Sequence, residues 1–264
     1  MALAVSAGPL SNLERNGEEQ PNRATEEMKM NYHLAYLVGA LLFDAAWAVC
    51  YLVGKKYRPQ MIWGTAVTVP LAFTSFLFVP QYWTPPSLFD LDARFRVGIE
   101  DFLWAGAVGG IASVVGEIFL KERFAALRKQ PRKKHYFPFI VMVVVFLILR
   151  AWHPQKNIYN TAVAFAVCAL MVALLRRDLI LTMIVGAVIF TILYFALFLY
   201  FLSLYRNFVD LYYNLANLSG IRLLGVPIEE LMFAASGGAV WSVAYEYLQG
   251  YRFAPGRGFR LVEA

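Results

Sequence analysis

Seven apolar stretches, at about 33–54, 62–80, 98–120, 137–152, 158–175, 179–205 and 226–248, take up most of this chain. About 20 apolar residues suffice to cross a bilayer as a helix, because only there are all backbone polar groups satisfied within the segment. Hydrophobic residues make up 59% of the 264 residues and charged residues 16%. That is too little charge to coat a water-soluble domain of this length, and too much apolar surface for a disordered chain. The pattern predicts an all-α fold, a polytopic membrane helix bundle of seven spans. The first stretch begins too far from the start, with too polar a flank, to read as a cleaved signal peptide. Residues 1–30 read as a disordered polar tail.

Loop charge sets the expected orientation. Fifteen Lys and Arg fall in the loops and tail on one side, among them Lys55, Lys56, Arg58, the run Lys121–Lys134, Arg176 and Arg177; nine fall on the other. The richer side is expected to face the cytoplasm, with the N-terminus outside and the C-terminus inside. The net charge of +6 is thus accounted for by topology and does not imply nucleic acid. Cys50 and Cys168 both lie in apolar runs, so neither a disulfide framework nor a thiolate metal site is expected. His33, His135 and His153 sit at span ends. Residues 206–219 are too polar to cross. With Phe208, Leu211, Tyr212, Leu215 and Leu218 on one helical face and Asn207, Asp210, Asn214 and Asn217 on the other, they predict a short helix lying on the membrane surface.

Residues 97–124 (VGIEDFLWAGAVGGIASVVGEIFLKERF) and 226–253 (VPIEELMFAASGGAVWSVAYEYLQGYRF) match at an offset of 129, with ten of 28 positions identical. The matches include Glu100/Glu229, Gly109/Gly238, Glu117/Glu246 and Arg123/Arg252, and Asp101/Glu230 keeps the charge. Apolar bias explains shared Val and Ile but not carboxylates and an arginine in register. Three spans, one connector and three spans make a parallel 3+1+3 repeat about an axis along the membrane normal. The divisions are 31–125 for the first repeat, 126–155 for a basic loop and connector span, 156–253 for the second repeat with its interfacial helix, and 254–264 for a basic tail.

Ionised carboxylates are expensive in hydrocarbon, so acids in or at the ends of spans mark candidate sites. Glu100, Asp101, Glu229 and Glu230 fall in the first turns of their helices, where the helix dipole favours the anion and burial favours the neutral acid. Pro227 suits a first helical position. The plain alternative is that these are ordinary helix-end residues at a wet interface. Glu117 and Glu246 lie one membrane thickness further on, beside Arg123 and Arg252, as additional candidates or interfacial ion pairs. Asp44 falls mid-span and is a further candidate. Gly106, Gly109, Gly110, Gly237 and Gly238 read as close-packing positions. Trp83, Trp152, Tyr200 and Tyr205 read as interface-belt residues, whereas Trp47, Trp104, Trp241 and Tyr245 lie deeper, as core packing or as the wall of a pocket facing a carbocation.

The segment GVPIEELMF (225–233) resembles the P-x-E-E/D motif of the integral-membrane lycopene cyclase family, and PQYWTPPSLFD (80–90) followed by GIEDFLW (98–104) looks like its first copy, with Gly98 in place of the proline. The likeness extends over about 33–250. It implies an isomerase of the intramolecular lyase kind that uses no cofactor and no metal. A carboxylic acid protonates the terminal alkene of a linear isoprenoid or carotenoid held within the bilayer. An internal double bond attacks the cation, and a base removes a proton to leave a ring. Carried over by position, Glu229 and Glu230 match the motif and Glu100 and Asp101 match its first copy. On this reading Glu100→Gln and Glu229→Gln abolish ring formation while folding persists. A small membrane transporter, with Asp44 and the paired acids as its site, and a non-catalytic isoprenoid-binding membrane protein are the alternatives. Oligomeric state is left open.

Overall fold

The computed structural model describes residues 32–120, 124–125, 136–250 and 252–253. The polar tail expected over 1–30, the loop bases from 121 to 134, and the basic tail at 254–264 lie outside these residues. So do Arg123 and the Arg252 side chain, the expected neighbours of Glu117 and Glu246.

The described chain is mostly helical. Long helices are α1 (Ala35–Val53), α2 (Arg58–Thr68), α4 (Ile99–Ala112), α6 (Phe137–Trp152), α7 (Asn157–Leu175), α8 (Ile180–Leu204) and α10 (Ile228–Gln249). Shorter ones are α3 (Leu91–Phe95), α5 (Val115–Leu120) and α9 (Phe208–Tyr212). Each of the seven apolar stretches therefore carries a helix. Five helical segments, at Ala35–Val53, Lys55–Leu77, Ile99–Leu120, Asn157–Leu175 and Arg177–Leu204, are long and apolar enough to cross a membrane. The other two differ for separate reasons: α6 has 16 residues, and α10 is long enough, at 22, but carries three glutamates.

Two stretches that read as single spans are broken. Pro70 has no N–H to continue the ladder of α2, and residues Val69–Leu77 tighten into a 3-10 helix. The helix from 99 halts at Ala112. There the Ser113 hydroxyl turns back to the Gly110 carbonyl (2.8 Å), and Gln60 Nε2 donates to the Ser113 carbonyl (2.6 Å), before α5 resumes.

The helices pack as two trios. In one, α4 lies against α1 and α2; in the other, α10 lies against α7 and α8, with α6 outside α7. The pairings α4·α10 and α5·α8 join them. Beyond α5 and α10 the chain forms a two-residue ladder, β1 (Phe124–Ala125) with β4 (Arg252–Phe253), in which Phe124 stands opposite Phe253. Another short pair, β2 (Arg222–Leu223) with β3 (Val226–Pro227), leads into α10.

The exterior is apolar. Leu181, Ile184, Val188 and Ile192 on α8, and Ile140, Val144, Leu147 and Ile148 on α6, are all exposed. The interior holds the acids: Glu100, Asp101, Glu117, Glu229, Glu230 and Glu246 are all buried. Apolar side chains facing out at helical spacing around a polar interior suit a lipid surround.

Glycine sets the helix spacing. A Cβ on Gly109 would overlap the Thr68 side chain, and one on Gly186 would overlap Ser242, whereas one on Gly237 would make ordinary contact with Phe165 at 3.4 Å. Overpacking of this kind typically destabilises by about 1–3 kcal/mol. Gly109→Ala is therefore expected to lower the unfolding temperature in detergent clearly more than Gly237→Ala; equal effects would contradict this packing.

The surface helix expected over 206–219 is not continuous. Helix α9 stops at Tyr212 because Tyr213 is extended (φ −89°, ψ 144°) and bridges Trp83. The Thr84 N–H donates to the Tyr212 carbonyl and the Asn214 N–H to the Tyr82 carbonyl, both at 2.8 Å. Tertiary pairing thus overrides the helical periodicity. Phe208, Val209, Tyr212 and Tyr213 turn inward while Leu215 is exposed.

Candidate functional site

The N-terminal ends of α4 and α10 meet at one cavity of about 230 Å³ between the two trios. Its wall includes Tyr36 and Phe43 of α1, Trp104 of α4, Tyr194 and Phe198 of α8, and Trp241 of α10. More than half of the lining side chains are aromatic, and Asp101 and Glu230 are its two carboxyl groups. Trp104 and Phe233, which correspond at the offset of 129, stack across it with ring centres 5.8 Å apart at 27°.

Asp101 is held by three donors. Its Oδ1 accepts the Tyr36 hydroxyl at 2.6 Å and the Ser75 hydroxyl at 3.0 Å, and its Oδ2 accepts the Gly98 N–H at 2.7 Å, closing the first turn of α4 as a capping interaction does. This explains glycine at 98 where the second copy has proline. Proline has no N–H to give, and a Cβ there would lie 2.7 Å from both Asp92 Oδ2 and Glu100 Oε2.

Glu230 is held differently. Pro227 precedes α10 as its N-cap rather than occupying the first helical position, and it offers no N–H to tie the side chain back. Glu230 has one methylene more than Asp101. It reaches a cage of three tyrosines, with Oε1 accepting from Tyr82 and Tyr213 and Oε2 from Tyr194, each at 2.6 Å. Tyr82 comes from the loop after α2, so one trio's connection supplies a donor to the other trio's acid. Burial first, then the Glu230 carboxylate, pushes the Tyr82 and Tyr213 hydroxyls well above their ordinary values. They therefore stay protonated and act as donors throughout the physiological range.

Glu100 and Glu229 do not line this cavity. Each binds the loop before its helix. Glu100 Oε1 accepts the Leu88 N–H at 2.7 Å; Glu229 Oε1 accepts the Ser219 N–H at 2.7 Å and the Tyr159 hydroxyl. The second carboxylate oxygen of each is buried without a hydrogen-bond partner. Both acids thus fix how the flanking loops seat on the helix ends.

The other candidates lie elsewhere. Asp44 is half-buried on α1 and is not part of the cavity wall. Glu117 and Glu246 are fully buried near the far ends of their helices, and Glu117 Oε1 accepts from Gln60 at 3.1 Å. Of the deep aromatics, Trp104 and Trp241 line the cavity. Trp47 instead donates to Thr65 at 2.9 Å, and Tyr245 packs on Trp63. Trp83, expected in an interface belt, is part of the wall. The four tyrosines holding the two cavity acids were not among the candidates. A buried tyrosine hydroxyl needs a partner, so Tyr194, inside the most apolar stretch of the chain, carried a readable signal.

No curated protein and no solved structure matches this chain. Residues 156–248, which hold α7, α8, the tyrosine-caged Glu230 and nearly all of α10, match the family model described as lycopene cyclase, and this is the family that the chain resembles.

Proposed function

We propose that this protein is a membrane-embedded cyclase acting on the end group of a linear isoprenoid or carotenoid, of the lycopene β-cyclase type, by proton-initiated, non-redox ring closure. One observation carries the reading: an aromatic cavity has two buried carboxyl groups, one from each helix trio, both held at 2.6 Å by tyrosine hydroxyls.

The two acids are suited to different roles. Asp101 lies beside the buried carboxyls Glu100 and Asp92, and close like charges cannot all ionise. A proton is thus retained among the three, and Asp101, the one of them that lines the cavity, is placed to pass it to the terminal alkene. Glu230 accepts three hydroxyl hydrogen bonds and is stabilised as the anion, which makes it the base. Its negative charge and the faces of Trp104, Phe233 and Trp241 stabilise the carbocation between the two events. An apolar wall keeps water from quenching that cation. Glu100 and Glu229 are positioning residues, holding the loops that carry Tyr82 and the approach to each acid.

The architecture that fits is seven spans in a parallel 3+1+3 repeat, with α6 as connector and the paired acids towards the non-cytoplasmic side. Support comes from the contacts of equivalent residues: Trp104 with Phe233 near one end, and Phe124 with Phe253 at the other. Residues related by a twofold axis touch their own counterparts where the axis passes between them.

Expression in a host that accumulates lycopene, followed by chromatography of the extracted pigment, tests the function. Cyclic carotenoid is expected with the intact chain. Unchanged lycopene, with folded protein in the membrane, would count against this substrate, and the same result across shorter linear prenyl substrates would overturn the enzyme reading.

A further inference from the structure

We propose that Asp92 is a third carboxyl of the first half-site, sharing one proton with Glu100 and passing protons between the aqueous side and Asp101. The part it plays in turnover rests on the cyclase reading; the shared proton does not.

Asp92 sits on α3, in the segment that leads from the loop after α2 into α4. This helix is set between two residues in the left-handed region, Asp90 (φ 54°) and Arg96 (φ 59°), and the Asp92 N–H donates to the Ser87 hydroxyl at 2.8 Å. The side chain is 2% exposed; Ser87 and the Asp101 carboxyl are its polar neighbours, and neither of its oxygens makes a hydrogen bond of regular geometry. Glu100 is 1% exposed, and its Oε2 is likewise without one.

Gly98 relates the two groups. A Cβ on Gly98 would lie 2.7 Å from Asp92 Oδ2 and 2.7 Å from Glu100 Oε2. The two orphan oxygens are therefore no further apart than twice that distance, across a residue with no side chain to separate them. The same glycine gives its N–H to Asp101, so three carboxyls surround one residue.

The other groups facing them are hydroxyls: Tyr36 from α1, Ser75 from the end of the second span, and Ser87 from the loop. Among the described residues no basic side chain pairs with any of the three, and the nearest bases in sequence, Arg94 and Arg96, are exposed. Two buried carboxylates this close cannot both be charged. One proton shared by the pair removes one of the two like charges. Burial first, then Asp101 and Glu100, pushes Asp92 up to about 7, so this proton exchanges near neutrality.

The second half-site has no counterpart. The position equivalent to Asp92 is Ile221, which is exposed, so although Glu229 Oε2 is buried without a partner as Glu100 Oε2 is, no acid stands at the corresponding place. The asymmetry matters because ring closure uses a proton at one acid and releases one at another. No net proton is consumed, but the acid must be recharged after each turnover. A carboxyl whose neighbours Ala93 and Arg94 are exposed is placed to do so from the water side.

Linkage gives a stability test. An acid raised in the folded state binds more protons folded than unfolded over the interval between the two pKa values. Stability therefore falls as pH climbs from the ordinary carboxylate value, about 4, to about 7, and levels off above. Asp92→Asn is expected to flatten that slope in detergent.

The decisive experiment is difference infrared spectroscopy of the lipid-reconstituted full chain from acid to alkaline pH, beside cyclisation rates over the same range. Wild type is expected to show a protonated-carboxyl C=O band that disappears near neutrality. The band should be lost in Asp92→Asn, and in Glu100→Gln it should titrate at lower pH. Cyclisation by Asp92→Asn should be slower by about tenfold or more, without the wild-type change near neutrality. A wild-type band persisting in Asp92→Asn, or an unshifted titration in Glu100→Gln, would overturn the shared proton even if one variant folds poorly. A wild-type rate and pH profile in Asp92→Asn would overturn the relay. The expected bands in a protein that cyclises nothing would leave the shared proton standing and remove the cyclase reading instead.

Discussion

Glu230→Gln is expected to lower the rate of ring formation by about 10²–10⁴-fold, the usual contribution of a positioned acid or base, while the protein still folds and inserts. Glutamine keeps the shape and accepts a hydroxyl hydrogen bond through its carbonyl oxygen, so much of the contact with Tyr82, Tyr194 and Tyr213 survives. What disappears is the group able to take a proton from the cation and the negative charge facing it. Asp101→Asn is expected to act on the other step by a similar factor, since an amide next to Tyr36 and Ser75 has no proton to give an alkene. Glu100→Gln and Glu229→Gln separate chemistry from positioning. Both sit behind the cavity on loop backbone, so each should slow the reaction by roughly tenfold or less. Initial rates in proteoliposomes, with folded protein quantified by size-exclusion elution, measure all four. Equal losses across the four would contradict the division of roles; no loss in Glu230→Gln would remove it as the base.

The tyrosine cage is the second large effect. Each of Tyr82, Tyr194 and Tyr213 donates at 2.6 Å to a buried carboxylate, and such charge-assisted bonds contribute about 1.5–3 kcal/mol. Replacing one by Phe keeps the ring in the cavity wall and removes only the hydroxyl. Slowing of about 10- to 150-fold per substitution follows, provided the anion is needed in the rate-limiting step. Tyr194→Phe should cost the most, because it is the lone donor to Oε2, whereas Tyr82 and Tyr213 share Oε1. A double Tyr82→Phe/Tyr213→Phe variant should be far worse than the sum of its parts, since Oε1 is then left buried without a donor. Full activity in that double variant would show that Glu230 does not work as an anion.

Apolar length made the helices legible in the sequence, and the duplicated acids made the ends of α4 and α10 legible as a site. The repeat located Asp101 and Glu230 without distinguishing them from Glu100 and Glu229. Adjacent residues in a first turn point about 100° apart, and periodicity alone does not say which of the two faces a neighbour. The Gly98/Pro227 difference was visible, but its meaning was not: whether a backbone N–H is available at the helix entry decides whether the following acid is tied back or released. Tyr213 was hidden for another reason. The pattern around it fits an amphipathic helix, and only the pairing of 212–214 with 82–84, some 130 residues away, turns that segment inward. Asp92 escaped notice because an acid in a polar loop is ordinarily solvated; its burial arises from how α3 folds against the entry to α4.

Isotope incorporation tests the central claim most directly. If a solvent-exchangeable carboxylic acid starts the cyclisation and a second carboxylate ends it at a different carbon, carotenoid cyclised by the wild-type protein in D2O should carry one deuterium per ring by mass spectrometry. Rings formed without deuterium would contradict protonation by Asp101, or by any exchangeable acid, as the first step.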